Sequence, residues 1–163
     1  MESRRYNTER DAESLWHLKR RFERELGTLG GSEKSDTYDG KLTDDYRERY
    51  LDWVTRCVER DPDCVTVADP ADADGLAGYV FVLPEELSLI WDSGVLNELY
   101  VSESHRGTGL VDDLLDAAIA CVENQDLPID RLMLDVNPGN EPAQSVYERH
   151  SFEPWGELLA REL

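Results

Sequence analysis

Arg106-Gly107-Thr108-Gly109-Leu110-Val111 sets a cation and two glycines immediately before an apolar helical pattern. Backbone N–H groups at a helix N-terminus are unpaired donors in a partial positive field, so this arrangement can receive a phosphate. Gly107 and Gly109 would let the backbone approach such a ligand and take positive φ. Neither the P-loop pattern GxxxxGK[ST] nor the dinucleotide pattern GxGxxG is present. Val111 is an unusual last member of a phosphate loop. Its N–H, the part a phosphate would use, does not depend on its side chain. A second group of residues lies downstream. Asn140 precedes a short helical pattern, where it reads as an N-cap with Pro142 in the first turn. Tyr147 follows seven residues later, on the same helix face and about 10 Å away. Taken singly, Asn140 reads as a helix cap and Tyr147 as a core aromatic.

The elements that must position these residues follow from periodicity. Arg4–Asn7 reads as a short first strand. Asp11 caps an amphipathic helix with Leu15, Leu18, Phe22 and Leu26 on one stripe, and Gly27 ends it. The polar, Gly-rich stretch from Gly27 to Asp45 reads as a long loop. A second helix covers Asp45–Arg60 and stops at Asp61-Pro62. Cys64–Asp69 and Gly75–Leu83 read as a hairpin, and Gly94–Val101 as a further strand. The helix after the glycines runs from Leu110 to Asn124, with Leu110, Val111, Leu114, Leu115, Ala118 and Val122 inward. Arg131–Val136 is a strand and Glu141–His150 a helix. The tail from Phe152 to Leu163 reads as one or two edge strands. This order predicts one α/β domain over residues 1–163, with a mixed, mostly antiparallel sheet flanked by helices.

Composition narrows the function classes. The 163 residues carry 17 Lys plus Arg against 36 Asp plus Glu, a net charge of −19. A basic patch able to track nucleic-acid phosphates is missing, and anionic membrane surfaces are disfavoured for the same reason. The acidity has two readings. One is a surface that attracts cationic substrates. The other, which the scarcity of Lys throughout the chain favours, is adaptation to high salt, where the Debye length falls to about 3 Å at 1 M. The polar N-terminus contains no signal-peptide pattern, and no apolar run is long enough for a membrane span. Cys57, Cys64 and Cys121 lack CxxC spacing, so no zinc site or disulfide framework is expected. The composition points to a soluble protein of a reducing cytoplasm.

Taken together, the strand LNELYV, the loop RGTG, the helix, the strand LMLDV and the pattern N-x-x-A-x-x-x-Y-x-x-x-S-F resemble the GNAT superfamily of N-acetyltransferases. The resemblance covers Val95 to Phe152. Arg106 and Gly109 match the first motif, with Val111 as a departure. Asn140, Ala143, Tyr147 and Phe152 match the second, with Ser151 in place of the family's Gly. The resemblance implies acetyl-CoA as cosubstrate, an amine acceptor and no metal. The cofactor would lie in a V-shaped splay between the strands Val95–Val101 and Arg131–Val136. Its pantetheine would pair with backbone at Leu99, Tyr100 and Val101. Its pyrophosphate would sit on the amides of Arg106, Gly107, Thr108, Gly109, Leu110 and Val111. Asn140 would touch the cofactor arm, and Tyr147 would protonate the leaving sulfur. For the general base, Glu98 is best placed, directly or through water; Asn97 could only hold a water, and Glu85 and Glu86 lie near the same end. Acceptor contacts would come from the Gly27–Asp45 loop, whose Asp36, Tyr38, Asp39, Asp44 and Asp45 could receive a cationic amine. A homodimer is compatible with the family. The alternative reading is a non-catalytic CoA or acyl-CoA sensor on the same fold.

Overall fold

The computed structural model describes residues 1–163. A five-stranded sheet runs β1 (Glu2–Arg5), β2 (Val65–Asp69), β3 (Gly78–Val82), β4 (Gly94–Val101), β5 (Leu132–Leu134), in that spatial order. The first four strands pair antiparallel, and β4 pairs β5 in parallel. Helices α1 (Ala12–Thr28), α2 (Gly31–Gly40) and α3 (Asp44–Arg60) precede β2. The one-turn helix α4 (Glu85–Ser88), α5 (Leu110–Glu123) and α6 (Glu141–Arg149) complete the chain. The expected single α/β domain with a mixed, mostly antiparallel sheet is what forms. No helix is long and apolar enough to cross a membrane.

Alternation along the strands sends side chains to two cores. Tyr79, Phe81 and Tyr100 face α1 and α3, packing with Leu15, Trp16 and Val54. Val80, Val82 and Leu96 face α5, packing with Leu114, Leu115 and Ala118. Cys121 joins the buried stripe of α5, while Val111 and Val122 sit half-buried at its margin.

Two expectations about irregular segments fail. Helix α1 ends at Thr28, one residue past Gly27, but α2 follows almost at once, so residues 27–45 are not a loop. Gly27 is buried within α1 because α2 packs on it: a Cβ there would meet Ser35 Cα at 3.1 Å and Tyr38 Cβ at 3.2 Å. Helix α2 buries no side chain of its own, so it lacks the periodicity that would announce it. Thr43 then caps α3, accepting from Tyr46 N–H at 3.1 Å. The second failure is the tail. No strand follows α6, and Trp155, Leu158 and Leu159 are exposed. Pro154 and Gly156 both weaken strand pairing at this point, and the sheet ends at β5.

Asp11 caps α1 as expected, but its carboxylate turns elsewhere. It accepts from Arg4 through both oxygens (2.7 and 2.9 Å) and from Asn7 N–H (2.8 Å). Arg4 also pairs with Asp69 (2.7 Å), so β1, β2 and α1 are tied at one buried point.

Candidate active site

The loop between β4 and α5 is built to leave donors unused. A turn at Glu103–His105 is held by Ser102 Oγ against His105 Nδ1 (2.8 Å) and by the Thr108 hydroxyl donating to the His105 carbonyl (2.6 Å). Gly107 and Gly109 then adopt φ of 74° and 85°. Gly109 is the N-cap of α5 in the left-handed region, which a side-chain-bearing residue enters at a cost. The Arg106 N–H is taken by the Glu103 carbonyl at 3.3 Å, and the next backbone donor with a partner is Asp112, to Gly109 at 3.1 Å. The amides of Gly107, Thr108, Gly109, Leu110 and Val111 donate to no other group of the chain. Five consecutive free N–H groups at a helix N-terminus make an anion receptor.

The edge of β4 supplies a second set. Ladder bonds come between opposed residues at every other position. Ser102 N–H donates to the Ala77 carbonyl (2.8 Å), while Val82 N–H turns to the carbonyl of Cys64, the residue before β2 (2.8 Å). Tyr79 and Phe81 therefore bond Tyr100 and Glu98, their register partners. Leu99 and Val101 turn their backbone groups away from β3. Pairing with β5 stops at Leu96–Leu134, so beyond it the two strands part and those groups face an open splay. The Val101 carbonyl is partly occupied, accepting from Arg106 Nε at 3.0 Å.

The register between β3 and β4 also slips: Phe81 faces Glu98, but Val82 faces Leu96. Asn97 is the extra residue of a β-bulge, and it is exposed. The bulge puts Leu96 and Glu98 on opposite faces of the sheet, although strict alternation would put them on one.

The structure divides the expected site residues into two groups. Leu99, Val111 and Tyr147 all pack at the margin of the α5-side core. Asn140 caps α6, its Oδ1 accepting from Ala143 N–H at 3.3 Å. Tyr147 is half-buried, its ring edge-on to Phe152 at 5.6 Å. Burial pushes its phenol up to about 12.

Glu98, Tyr100 and Arg106 turn to the other face. Tyr100 bonds β3 with its backbone, and its hydroxyl donates to Glu25 at 2.8 Å, so its side chain braces α1 and does not line the splay. Arg106 is fastened to Glu25 by two hydrogen bonds (2.9 and 2.8 Å) over the Tyr100 ring. It anchors the loop to α1 and is not a free cation. Glu98 is buried in a network: Oε1 accepts from Lys19 (2.5 Å), and Oε2 accepts from the hydroxyls of Tyr50 (2.7 Å) and Tyr79 (2.8 Å). Lys19 also pairs with Glu23 (2.5 Å), whose other oxygen meets Lys41 (2.7 Å). Burial works against the Lys19 charge, and Glu98 and Glu23 more than offset it, so its pKa lies above the ordinary lysine range. Glu85 and Glu86 are engaged elsewhere, with Asp126 N–H and with Arg60.

Sequence reasoning missed this network. The signal was there: Lys19 and Glu23 fall at i, i+4 on the apolar stripe of α1, where only paired charges survive burial. Asp112 likewise looks hostile to a phosphate, but it is held by Arg149 at the end of α6 (2.7 Å) and by His150 just after it (2.7 Å). His150 and then Arg149 keep its carboxyl below the usual range.

Two consequences can be measured. Burial raises the pKa of Glu23, but Lys19 and Lys41 outweigh it, and the net shift is downward from 4.5. Its ionised form therefore stabilises the fold fully above about pH 4.5, and the contribution is lost as pH falls through the lower folded value. The stability gap between wild type and Glu23→Gln, read by denaturant titration, should shrink below pH 4.5 and stay constant above it. Val111→Gly removes half-buried packing and places Gly in the first turn of α5. It should cost about 1–2 kcal/mol of stability, while acetyl-CoA affinity by calorimetry is kept or improved. A large affinity loss would show that Val111 packing, not amide access, shapes the loop.

A family profile described as Acetyltransferase (GNAT) family matches residues 26–152. The chain belongs to the GNAT acetyltransferase family. No curated protein matches it by sequence. Solved structures share the GNAT fold at low identity. The PaiA N-acetyltransferase of Thermoplasma acidophilum, in complex with coenzyme A, superposes with a TM-score of 0.70 at 20% identity, over 91% of this chain and 87% of that one. The ribosomal-protein-alanine N-acetyltransferase of Brucella melitensis gives 0.57 at 17%, over 99% and 100%. AAC(6')-Iy, bound to a CoA-S-monomethyl-acetylneamine bisubstrate analogue, gives 0.66 at 15%, over 99% and 97%.

Proposed function

We propose that this GNAT protein transfers an acetyl group from acetyl-CoA to a primary amine by direct attack in a ternary complex. The observation that carries the reading is the run of five unused amides, Gly107–Val111, beside the open edge of β4 and on the same side of the sheet as Tyr147. The free amides fit a diphosphate, and the strand edge at Leu99 and Val101 fits the amides of a pantetheine arm. Acetyl-CoA would supply an activated thioester carbonyl.

The remaining work falls to this chain's residues. The Leu99 N–H faces the splay and is the donor placed to stabilise negative charge developing on the carbonyl oxygen. One C–N bond forms and one C–S bond breaks; the amine gives up a proton and the departing sulfur gains one. Glu98 takes the amine's proton through a water at the bulge; the proton enters on Oε1, which accepts only from Lys19, because Oε2 is filled by Tyr50 and Tyr79. Tyr147 stays protonated across the working range and donates a hydrogen bond to the sulfur. A thiol of pKa about 8.5 leaves readily, so this donor accelerates the step without being its only route. Asn140 orders the start of α6 and, with it, Tyr147.

The test is amine-dependent release of the CoA thiol, measured at molar KCl across a panel of amines. Tight acetyl-CoA binding with no acetylated product would favour the sensor alternative. The engagement of both Glu98 oxygens is the observation on that side.

The acidic surface and the scarcity of Lys also lead us to infer a soluble cytoplasmic protein adapted to high salt. Raising KCl from about 0.1 M to about 1 M shortens the Debye length from about 10 Å to 3 Å and screens self-repulsion. The thermal midpoint should rise over that range; a fall would remove this inference.

A further inference from the structure

Helix α3 carries a strip at the rim of the first core: Tyr50 is buried in that core, Tyr46 and Trp53 pack against it, and Arg49 and Arg56 are exposed. Tyr46, Arg49, Tyr50, Trp53 and Arg56 recur at helical spacing along it. With Asp52, and with Glu98 at one end, they line a cavity of about 540 Å³. It is open to solvent on one side, and its volume falls in the range of small-molecule sites. Tyr50 joins the cavity to the site, because its hydroxyl is one of the donors that hold Glu98 beside the bulge. Trp53 is half-buried with its ring against Phe81 at 5.1 Å, which gives the cavity a fixed apolar wall.

The two arginines are the telling feature. In a chain of net charge −19, ten of the 17 Lys and Arg side chains are held in ion pairs, and of the seven that are not, Arg49 and Arg56 are the two that line this cavity. Arg49 and Arg56 are exposed and pair with no carboxylate. Asp52 lies between them in sequence, at spacings where helix pairs form, yet it bridges to neither. Seven residues apart on one helix, they stand about 10 Å from each other along its axis. An arginine fork matches a carboxylate in charge and in geometry.

We propose that this cavity is the acceptor site and that its acceptor is a small primary amine that also carries a carboxylate. The carboxylate is held by Arg49 and Arg56, the carbon skeleton packs on Trp53, and the amine lies toward Glu98 and Asn97. The proposal rests on the acetyl-transfer reading and names its substrate class. It replaces the expectation of a cationic acceptor at residues 27–45. Those acids lie on α2 and at the start of α3, and Asp39 is already paired with Arg24 at 3.0 Å.

The experiment compares phenylalanine, its primary amide and phenethylamine, with binding and turnover measured separately. Binding is read by calorimetry on the CoA-loaded protein, and transfer by product mass. Phenylalanine should bind at least about tenfold more tightly than phenethylamine. The double variant Arg49→Gln/Arg56→Gln should lose that preference while its helical circular dichroism and acetyl-CoA affinity hold. Equal or weaker binding of the carboxylate-bearing amine, no binding of any of the three, or a preference that survives the double variant, would overturn the anion site. Transfer to phenethylamine alone would also overturn it and leave acetyl transfer standing. Arginine-dependent binding of phenylalanine with no acetylated product from any amine would do the reverse.

Discussion

Tyr147→Phe lowers kcat by roughly 10²-fold, within the usual range of a lost acid–base group, and leaves acetyl-CoA binding within about twofold. The expectation follows from position and burial. Tyr147 sits on α6 at the same core margin as Leu99 and Val111, and burial holds its phenol at about 12. Phe keeps the edge-on packing with Phe152 and removes only the hydroxyl. The protein should therefore fold normally and bind its cosubstrate normally. Steady-state kinetics with calorimetry separates the two quantities. An unchanged kcat would remove Tyr147 from the mechanism; a parallel loss of affinity would make it a binding residue.

Lys19→Met costs about 3–5 kcal/mol of stability, the usual price of leaving a buried charge without its partner. Lys19 is the only cation touching Glu98, and it shares Glu23 with Lys41. Its removal leaves the Glu98 carboxylate buried with only the two tyrosine hydroxyls. A domain of this kind has about 5–15 kcal/mol in total, so the loss is large. By contrast, Arg24→Ala at the exposed pair with Asp39 should cost less than about 1 kcal/mol. Because the Lys19 pKa is raised above 10.5, its contribution is complete below that pH and fades only as alkali carries it through the folded value. Denaturant midpoints for both variants at pH 7, in molar KCl, provide the measurement. A Lys19→Met protein as stable as wild type would show that the network adds no net stability.

Much of the scaffold was legible because it rests on local signals. The span Gly94–Val101, the stop at Asp61-Pro62, the Asn140 cap and the helix beginning at Leu110 all follow from period, caps and breakers. The glycine loop was legible as a donor site, because positive φ at Gly107 and Gly109 is what such a loop requires. What stayed hidden depends on partners distant in sequence. The bulge at Asn97 exists only as a register slip against β3. It decides which face Glu98 takes, and so turns an expected free carboxylate into the centre of a buried network. Arg106 looked like a phosphate ligand until Glu25, on α1, claimed it. Helix α2 has no apolar face to read and is placed by close approach to Gly27. The tail from Phe152 to Leu163 reads as edge strands, yet it finds no edge to join.

Amide chemical-shift mapping on adding acetyl-CoA, in molar KCl, tests the central claim most directly. The largest shifts should fall at Gly107, Thr108, Gly109, Leu110 and Val111, with Leu99 and Val101 next, since these are the backbone donors left facing the splay. A folded protein whose loop amides do not move, or whose shifts cluster away from this loop and strand, would contradict it.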